Sequence, residues 1–287
     1  MTEVKDLNRE GQVPTWCPGC GNFGILSAEK MAISELNLDP KKIVEVSGIG
    51  CAALFPHWIK TNFYETLHGR TLPVASGIKL ANRELTVIAH AGDGDCYGIG
   101  MGHFVHTARR NIDMTCVVHD NQIYALTKGQ YSPTTPKGRA SMTTPEGAIE
   151  TPLNATAVSL SSDATFVARS FSNDPKHLKE TLKKAIEHDG FSVVSVFQEC
   201  VTYNRINNND WWKERLYDLQ EEGYKPDDKI KAYEKSKEWG DKIPMGVFYK
   251  EDKPTYESQI EQLENKEIVD KDLSNIDVTE VLKKKYV

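Results

Sequence analysis

The sequence predicts an α/β fold, in which a mostly parallel sheet is flanked by helices and followed by a C-terminal extension. From about residue 22 to residue 200, short β-branched runs alternate with longer segments whose apolar residues recur every three or four positions. The 287 residues are enough to bury a large core. After residue 210 the composition becomes polar and charged. We therefore divide the chain into a domain of residues 1–210 and an extension of residues 211–287, which we expect to contact a partner subunit.

The alternating pattern predicts five strands and four helices between residues 22 and 200. Residues 128–152 contain four prolines in a polar context, which predicts a long ordered loop or lid. From residue 250 onward charges alternate without a clear apolar face, so this tail is expected to wrap a partner or to be partly disordered. The predicted strands are 42–46, 85–89, 114–119, 165–168 and 192–197, and the predicted helices are 25–36, 75–83, 99–110 and 175–188.

Composition and charge argue against several classes of function. The 41 acidic and 35 basic residues are spread along the chain, so no basic face for a nucleic acid stands out. No segment approaches the roughly 20 apolar residues that span a bilayer, and the first residues lack an apolar signal region. We therefore expect a cytoplasmic protein with neither a membrane nor a nucleic acid partner. In a reducing compartment, its six cysteines are poor disulfide candidates.

A glycine-rich segment follows the second predicted strand. Residues 88–95 have the sequence Ile-Ala-His-Ala-Gly-Asp-Gly-Asp and precede a predicted helix. Open parallel sheets bind ligands at the carboxyl ends of their strands, where a helix amino terminus faces the phosphates. Glycines let the backbone approach a diphosphate, and Asp93 offers the hard oxygen ligand that Mg²⁺ prefers. By itself, Gly-Asp-Gly is equally consistent with an ordinary turn.

A second strand end strengthens the prediction of a cofactor site. The predicted strand 114–119 is followed by Asp120 and Asn121, and Asn121 lies 28 positions after Asp93, an interval that fits one crossover helix. Asp93, the side-chain oxygen of Asn121 and a backbone carbonyl such as that of Ile123 would then face one Mg²⁺ bound to a diphosphate. The alternative is two unrelated turns on one sheet, but the matched strand contexts favour the cofactor site.

Four of the six cysteines lie on predicted loops. Cys17 and Cys20 are separated by Pro-Gly, which suits a tight turn around a metal, and Cys51 and Cys200 could converge on them. Four thiolates suit either Zn²⁺ or an iron–sulfur cluster, and a redox dithiol also remains open for the first pair. The remaining two cysteines, Cys96 and Cys116, lie in the predicted core and receive no role.

Several segments occur together in a characteristic order and spacing. They are Trp16-Cys17-Pro18-Gly19-Cys20-Gly21, Ser47-Gly48-Ile49-Gly50-Cys51, Leu67-His68-Gly69-Arg70, Gly92-Asp93-Gly94-Asp95, Asp120-Asn121 continuing to Gly129-Gln130, and Cys200-Val201-Thr202-Tyr203-Asn204. Together they resemble the β subunit of 2-oxoacid:ferredoxin oxidoreductases, which bind thiamine diphosphate. The resemblance covers about residues 12–210. It implies that residues 1–210 form a thiamine-diphosphate-binding domain that includes the cluster ligands.

The resemblance also implies roles for individual residues. One [4Fe–4S] cluster would be held by Cys17, Cys20, Cys51 and Cys200. Mg²⁺ would be held by Asp93, Asn121 and the Ile123 carbonyl. Leu126 and Lys128 would be catalytic and, with Thr127, lie near the thiazolium and the substrate. The residues implied to contact thiamine diphosphate are Gly48, Ile49, Gly50, Cys51, His68, Gly92, Asp93, Gly94, Asp95, Asn121, Leu126 and Thr127.

The activity implied is coenzyme A-dependent oxidative decarboxylation of a 2-oxoacid to acyl-CoA and CO₂, with electrons passing through the cluster to ferredoxin. A larger α subunit is the expected partner, because the glutamate that activates the aminopyrimidine would come from another polypeptide.

One departure from the family concerns the substrate. Some relatives carry a basic residue soon after the third cysteine, whereas this chain has Ala52-Ala53-Leu54. The sequence therefore does not identify the 2-oxoacid.

Two other functions fit parts of the pattern. A thiamine-dependent decarboxylase without electron transfer, with structural zinc at the cysteines, explains the paired strand ends equally well. A non-catalytic zinc-binding interaction module explains the cysteines but leaves the diphosphate geometry to chance. Metal content and the visible spectrum distinguish these three functions.

Overall fold

A computed structural model describes residues 2–263, 267–272, 274, 279, 282 and 283. Within these residues, eight strands form one sheet in the order β2-β1-β3-β4-β6-β5-β8-β7. The β5–β8 pair is antiparallel, and the other neighbours pair in parallel. The strands are β1 Ile43–Ser47, β2 Asn62–Glu65, β3 Thr86–Gly92, β4 Met114–Asp120, β5 Phe166–Phe171, β6 Phe191–Phe197, β7 Leu216–Asp218 and β8 Ile243–Lys250.

Helices cover both faces of the sheet. One face packs on α1 and α5, and the other packs on α2, α3 and α4. Successive residues of a strand point to opposite faces, so Ile88 of β3 belongs to the first core and Val87 and Ala89 to the second. Every residue of β4, β5 and β6 is buried, as expected for strands covered on both faces. The helices are α1 Asn22–Glu35, α2 Thr71–Ala81, α3 Met101–Arg110, α4 Ala155–Ser161, α5 Pro175–Ile186, α6 Asn209–Lys213 and α7 Lys229–Ser236.

The predicted α/β fold with a mostly parallel sheet is confirmed. The five predicted strands correspond to β1, β3, β4, β5 and β6, and the four predicted helices correspond to α1, α2, α3 and α5. Several boundaries were wrong: α2 begins at Thr71 instead of residue 75, β3 continues to Gly92, and α3 begins only at Met101 because residues 95–99 form a wider π-type turn. Strand β2 was missed since all four of its residues are exposed at the sheet edge and carry no apolar pattern.

The sheet continues beyond residue 210. Strand β8 pairs with β5, and its residues Val247 and Phe248 are buried in the two cores. Residues 216–250 therefore complete one edge of the sheet instead of lying apart from it, which the division at residue 210 did not anticipate. Contact of residues 211–287 with a partner stays a prediction. The predicted tail from residue 250 lies partly outside the described residues.

Residues 128–152 contain no named helix or strand, as predicted for a long loop. This loop is nevertheless anchored, because the side chains of Ser132, Thr134 and Thr135 are buried in it. In the part of the chain that the structure describes, no helix is both long and apolar enough to cross a bilayer.

A chain of buried polar side chains crosses the core between α1 and the sheet. His90 Nε2 lies 3.0 Å from Glu45 Oε2 and 3.4 Å from Glu29 Oε1, and its Nδ1 lies 3.0 Å from His119 Nε2. His119 in turn contacts Asn22. Burial alone lowers the pKa of His90, but the two carboxylates outweigh it and raise that pKa to about 10. Burial and the neighbouring Glu29 also raise the pKa of Glu45 to about 8, so the two carboxyl groups keep one proton at neutral pH and His90 compensates the remaining carboxylate.

Replacing His90 by Gln is expected to destabilise the protein by about 3–5 kcal/mol, because it leaves a buried carboxylate without its cation. His57→Gln is the matched control, since His57 forms a partly exposed pair with Glu65 and is expected to cost less than about 1 kcal/mol. Urea denaturation of both variants measures the difference. Equal unfolding free energies would contradict the assigned charge balance.

Candidate active site

The carboxyl ends of β3 and β4 bring the predicted Mg²⁺ ligands together. Gly92 pairs with His119 in the parallel register, and Asp93 and Asn121 each directly follow the last residue of one of these two adjacent strands. Asp93 is 1% exposed and Asn121 is 8% exposed. The Asn121 side-chain oxygen accepts a hydrogen bond from the backbone N–H of Ile123, which closes a turn directly after β4. The strand-end geometry expected from the sequence is therefore present.

Asp93 is held by two hydroxyl groups from the long loop. Its Oδ2 accepts hydrogen bonds from Ser132 Oγ at 2.5 Å and from Thr134 Oγ1 at 2.6 Å. Burial raises the pKa of the Asp93 carboxyl to about 6, although these hydrogen bonds oppose the rise. A divalent cation would supply the positive charge that this buried carboxylate lacks. The sequence analysis did not find Ser132 and Thr134, because nothing in their local sequence indicates where the loop folds.

Gly94 leaves room for an aromatic side chain. A Cβ atom at this position would lie 2.2 Å from the ring of Tyr124, whose hydroxyl donates a hydrogen bond to the Gly94 carbonyl. Tyr124 thereby fixes the loop that carries Asp93, a role that the sequence analysis did not assign. The close approach of ring and backbone explains why glycine is required here.

Gly94→Ala is expected to displace either Tyr124 or the loop, and to weaken Mg²⁺-dependent cofactor binding by roughly tenfold or more. Gly77→Ala is the matched control, because a Cβ at Gly77 of α2 meets nothing within 4 Å and alanine favours a helix. Isothermal titration with thiamine diphosphate and Mg²⁺ compares the two variants. Equal affinities would show that the Tyr124 contact does not shape the site.

Asp95 joins three loops. Its Oδ1 lies 2.6 Å from His68 Nδ1 and accepts hydrogen bonds from the backbone N–H groups of Gly69 and Ile49. Gly48 is needed beside it, since a Cβ there would lie 1.9 Å from Asp95 Oδ2. The Asp95 carboxylate thus organises the walls of the site. Its predicted direct contact with thiamine diphosphate stays a prediction.

These loops enclose a cavity of about 220 Å³, here called the cofactor cavity. It is lined by most of the predicted cofactor residues. Gly48 and Lys128 do not line it. Lys128 is exposed directly after Thr127 and has a left-handed backbone conformation (φ 80°). The sequence analysis did not predict three residues that line the cavity, which are His119, Tyr124 and Gln198. The predicted residues on the wall are Ile49, Gly50, Cys51, His68, Gly92, Asp93, Gly94, Asp95, Asn121, Ile123, Leu126 and Thr127.

The four predicted cluster cysteines converge beside this cavity. Burial is the main cause that raises the pKa of the Cys51 thiol to about 11, and the charges of Cys20, Cys200 and Cys17 raise it further. Cys51 lines the cofactor cavity and also packs near Cys200. Gln198, on the cavity wall, donates to Cys20 Sγ at 3.4 Å. The cavity and the cysteine group therefore share a wall.

No three of the four cysteine sulfur atoms lie within 4.8 Å of one another in the described part of the chain. Four thiolates at 2.3 Å from one tetrahedral Zn²⁺ lie about 3.8 Å from one another. Among the described residues, one group of three possible metal ligands lies within 4.8 Å of one another, and it consists of Glu29, Glu45 and His90. The described cysteines form no such group. A wider arrangement suits a cluster in which each cysteine binds a different iron.

Comparison with known proteins agrees with this geometry. Residues 35–196 match the family model "Thiamine pyrophosphate enzyme, C-terminal TPP binding domain". Residues 200–265 match the family model of the C-terminal part of the pyruvate ferredoxin oxidoreductase beta subunit. The chain is 51% identical over 258 residues to the 2-oxoacid:ferredoxin oxidoreductase subunit beta of Saccharolobus solfataricus, covering 85% of each chain. It belongs to this family of β subunits.

Two further relatives extend the match to the whole chain. The 2-oxoglutarate synthase subunit KorB of Archaeoglobus fulgidus is 37% identical over 275 residues, covering 93% of this chain and 99% of that one. A solved 2-oxoglutarate:ferredoxin oxidoreductase from Magnetococcus marinus, with 2-oxoglutarate, coenzyme A and succinyl-CoA bound, is 38% identical with a TM-score of 0.90 and covers 99% of this chain and 96% of its own. As a β subunit of an oxidoreductase, the chain has an α subunit as its partner.

Proposed function

We propose that this β subunit binds thiamine diphosphate, Mg²⁺ and one [4Fe–4S] cluster for the coenzyme A-dependent oxidative decarboxylation of a 2-oxoacid, with ferredoxin as the electron acceptor. The observation that carries the proposal is the position of Cys51. It lines the cofactor cavity and belongs to the group of four cysteines, so the site of decarboxylation adjoins the site of electron transfer.

The oxygen ligands fit Mg²⁺ and a diphosphate. Asp93 and the Asn121 side chain offer hard oxygen atoms, and the Ile123 carbonyl completes the predicted set. The glycines at 92 and 94 leave the backbone accessible, while Asp95 holds the neighbouring loops and His68 at the cavity wall. The buried carboxylates of Asp93 and Asp95 would by themselves repel a diphosphate, so a cation is needed to hold the diphosphate beside them.

Thiamine diphosphate supplies the electron sink for loss of CO₂, and the cluster supplies a one-electron acceptor. This chain contributes the geometry between them. The Cys51 carbonyl accepts hydrogen bonds from Trp16 Nε1 at 2.8 Å and from Asn22 Nδ2 at 3.4 Å, so the backbone of this cysteine is fixed at the shared wall. Asn22 is in turn held by His119.

The substrate would enter at the rim formed by Leu126, Thr127 and Lys128. All three are exposed, so they are accessible to a 2-oxoacid, to coenzyme A and to the α subunit. Residues 52–54 supply no cation to the substrate carboxylate, and Ala52 and Ala53 are buried. We propose Lys128 for that contact, because it is exposed and directly follows Thr127 of the cavity wall. Some relatives are named for 2-oxoglutarate and others for 2-oxoacids in general, so a narrow and a broad substrate range are both to be tested.

Apolar side chains are also exposed on the loops that form the cofactor cavity, where Leu126 lines the cavity, Leu67 precedes the wall residue His68 and Ile99 follows the wall residue Asp95 by four positions. Leu67 is 77%, Ile99 61% and Leu126 57% exposed. Exposed apolar side chains around a cavity indicate a surface that a partner covers. We assign this surface to the α subunit, which would close the cavity and supply the group that activates the aminopyrimidine.

The metal content of the anaerobically purified complex with its α subunit tests the proposal. About four irons per αβ pair attributable to this chain, with broad brown absorbance, are expected. One zinc and no colour would instead support the decarboxylase or the zinc-binding module. Assays with pyruvate, 2-oxoglutarate and a branched 2-oxoacid, following ferredoxin reduction, then define the substrate range.

A further inference from the structure

A second cavity lies at the same edge of the sheet, behind the Mg²⁺ site. Its volume is about 330 Å³, within the range of sites for small molecules. Asp120 and Thr134 line it, whereas Asp93 and Asn121 line the cofactor cavity. Here it is called the rear cavity. Nothing in the proposed reaction uses it.

The rear cavity contains a buried arginine without a counter-ion. Arg169 is 4% exposed, and among the described residues no carboxylate lies within ion-pair distance of it. Its Nη1 donates to the Pro244 carbonyl at 3.1 Å and its Nη2 to Thr156 Oγ1 at 2.9 Å. A guanidinium has five N–H donors, so donors remain for a ligand. A buried cation that meets only neutral acceptors is a strong site for a carboxylate.

The same cavity also holds the carboxyl group of Asp120, whose pKa is raised to about 7 by burial and by the neighbouring Asp93. Asp120 is 3% exposed, lies on the cavity wall and interacts electrostatically with Arg169 without forming an ion pair. Leu153, Phe197 and Trp239 provide apolar surface between and around these groups. Lys237 also lines the cavity, so two cations and one carboxyl group face it, and a phosphate dianion would be repelled by an ionised Asp120. A molecule with one carboxylate and one ammonium group matches both walls.

We propose that the rear cavity binds a small α-amino acid, with its carboxylate on Arg169 and its ammonium group on Asp120. Binding would be transmitted to the Mg²⁺ site through Thr134. This hydroxyl lies 2.9 Å from Asp120 Oδ1 and 2.6 Å from Asp93 Oδ2, yet it has one proton to donate. When an ammonium group donates hydrogen bonds to Asp120, Asp120 no longer needs the hydrogen bond from Thr134. The Thr134 hydroxyl can then donate its proton to Asp93 alone.

Isothermal titration of the intact αβ complex with alanine, leucine and glutamate tests the proposal. At least one amino acid is expected to bind saturably, and Arg169→Gln is expected to weaken that binding by tenfold or more. Ala155→Leu, which narrows the cavity without removing a charge, is expected to weaken it as well. The matched control is Arg215→Gln, because Arg215 pairs with Glu214 and does not line this cavity. Thermal unfolding of each variant shows whether it folds.

Several results would overturn the assignment. The first is that none of the three amino acids binds saturably. The second is that an amino acid binds but neither Arg169→Gln nor Ala155→Leu weakens its binding, because the binding site would then lie elsewhere. Tighter binding of acetate or inorganic phosphate than of any amino acid would reject the zwitterion. If Arg169→Gln does not fold, Ala155→Leu alone decides. Failure of cofactor binding would leave these titrations unaffected, so the two proposals fail separately.

Discussion

Asp93→Ala is expected to weaken Mg²⁺-dependent binding of thiamine diphosphate by roughly 100-fold or more, because it removes the buried carboxylate that would bind the cation. Iron content should stay at the wild-type level, since Asp93 is not one of the four cysteine ligands. Isothermal titration of the αβ complex with the cofactor and Mg²⁺, together with iron analysis of the same sample, measures both quantities.

Two further variants separate the metal ligand from a general loss of structure. Asp163→Ala removes an exposed aspartate paired with Lys229, far in sequence from the site, and should leave cofactor affinity unchanged. Asp93→Asn keeps the size of the side chain but loses its charge, and should bind the cofactor almost as weakly as Asp93→Ala. Cofactor affinity retained in Asp93→Asn would mean that this carboxylate does not hold the cation.

Cys51→Ser is expected to abolish both the stable four-iron content and the reduction of ferredoxin, because it removes one of four thiolates at the wall shared with the cofactor cavity. Anaerobic purification, iron and sulfide analysis and electron paramagnetic resonance of the reduced protein measure the loss. Thiamine diphosphate should still bind, with an affinity within roughly tenfold of the wild type, since the oxygen ligands remain.

Cys116→Ala is the matched control for this variant. Cys116 is fully buried in the core of β4 and belongs to neither the cysteine group nor the cofactor cavity. Its iron content and spectrum should therefore equal those of the wild type. Iron lost equally from Cys51→Ser and Cys116→Ala would mean that the loss reports instability rather than ligation.

The central part of the fold could be predicted because its signals are local. Strands β3 and β4 are apolar runs of the length of a strand, and each is followed at once by the polar residues that form the site. Since parallel strands end at one edge, an interval that fits one crossover helix was enough to predict that Asp93 and Asn121 lie at neighbouring strand ends. The choice of an iron–sulfur cluster over zinc came instead from the resemblance, because the positions of the four cysteines left both open.

Strand β8 shows why other parts were missed. Its sequence, Ile-Pro-Met-Gly-Val-Phe-Tyr-Lys, contains a strand-like apolar run, but it lies within a charged region and is interrupted by proline and glycine. Its antiparallel partner β5 lies 72 or more residues earlier in the chain. Pairing over such a distance depends on which sheet edge remains free, and a local pattern does not contain that information.

The sequence by itself determined the alternation of strands and helices, the two strand ends that carry Asp93 and Asn121, and the four thiols that could gather beside them. Only the tertiary structure decided that Ser132 and Thr134 hold Asp93, that Tyr124 packs against Gly94, and that a second cavity surrounds Arg169. The physical reason is that periodicity and turn chemistry are properties of neighbouring residues. The path of a long irregular loop depends instead on packing and hydrogen bonds to residues far away in the chain.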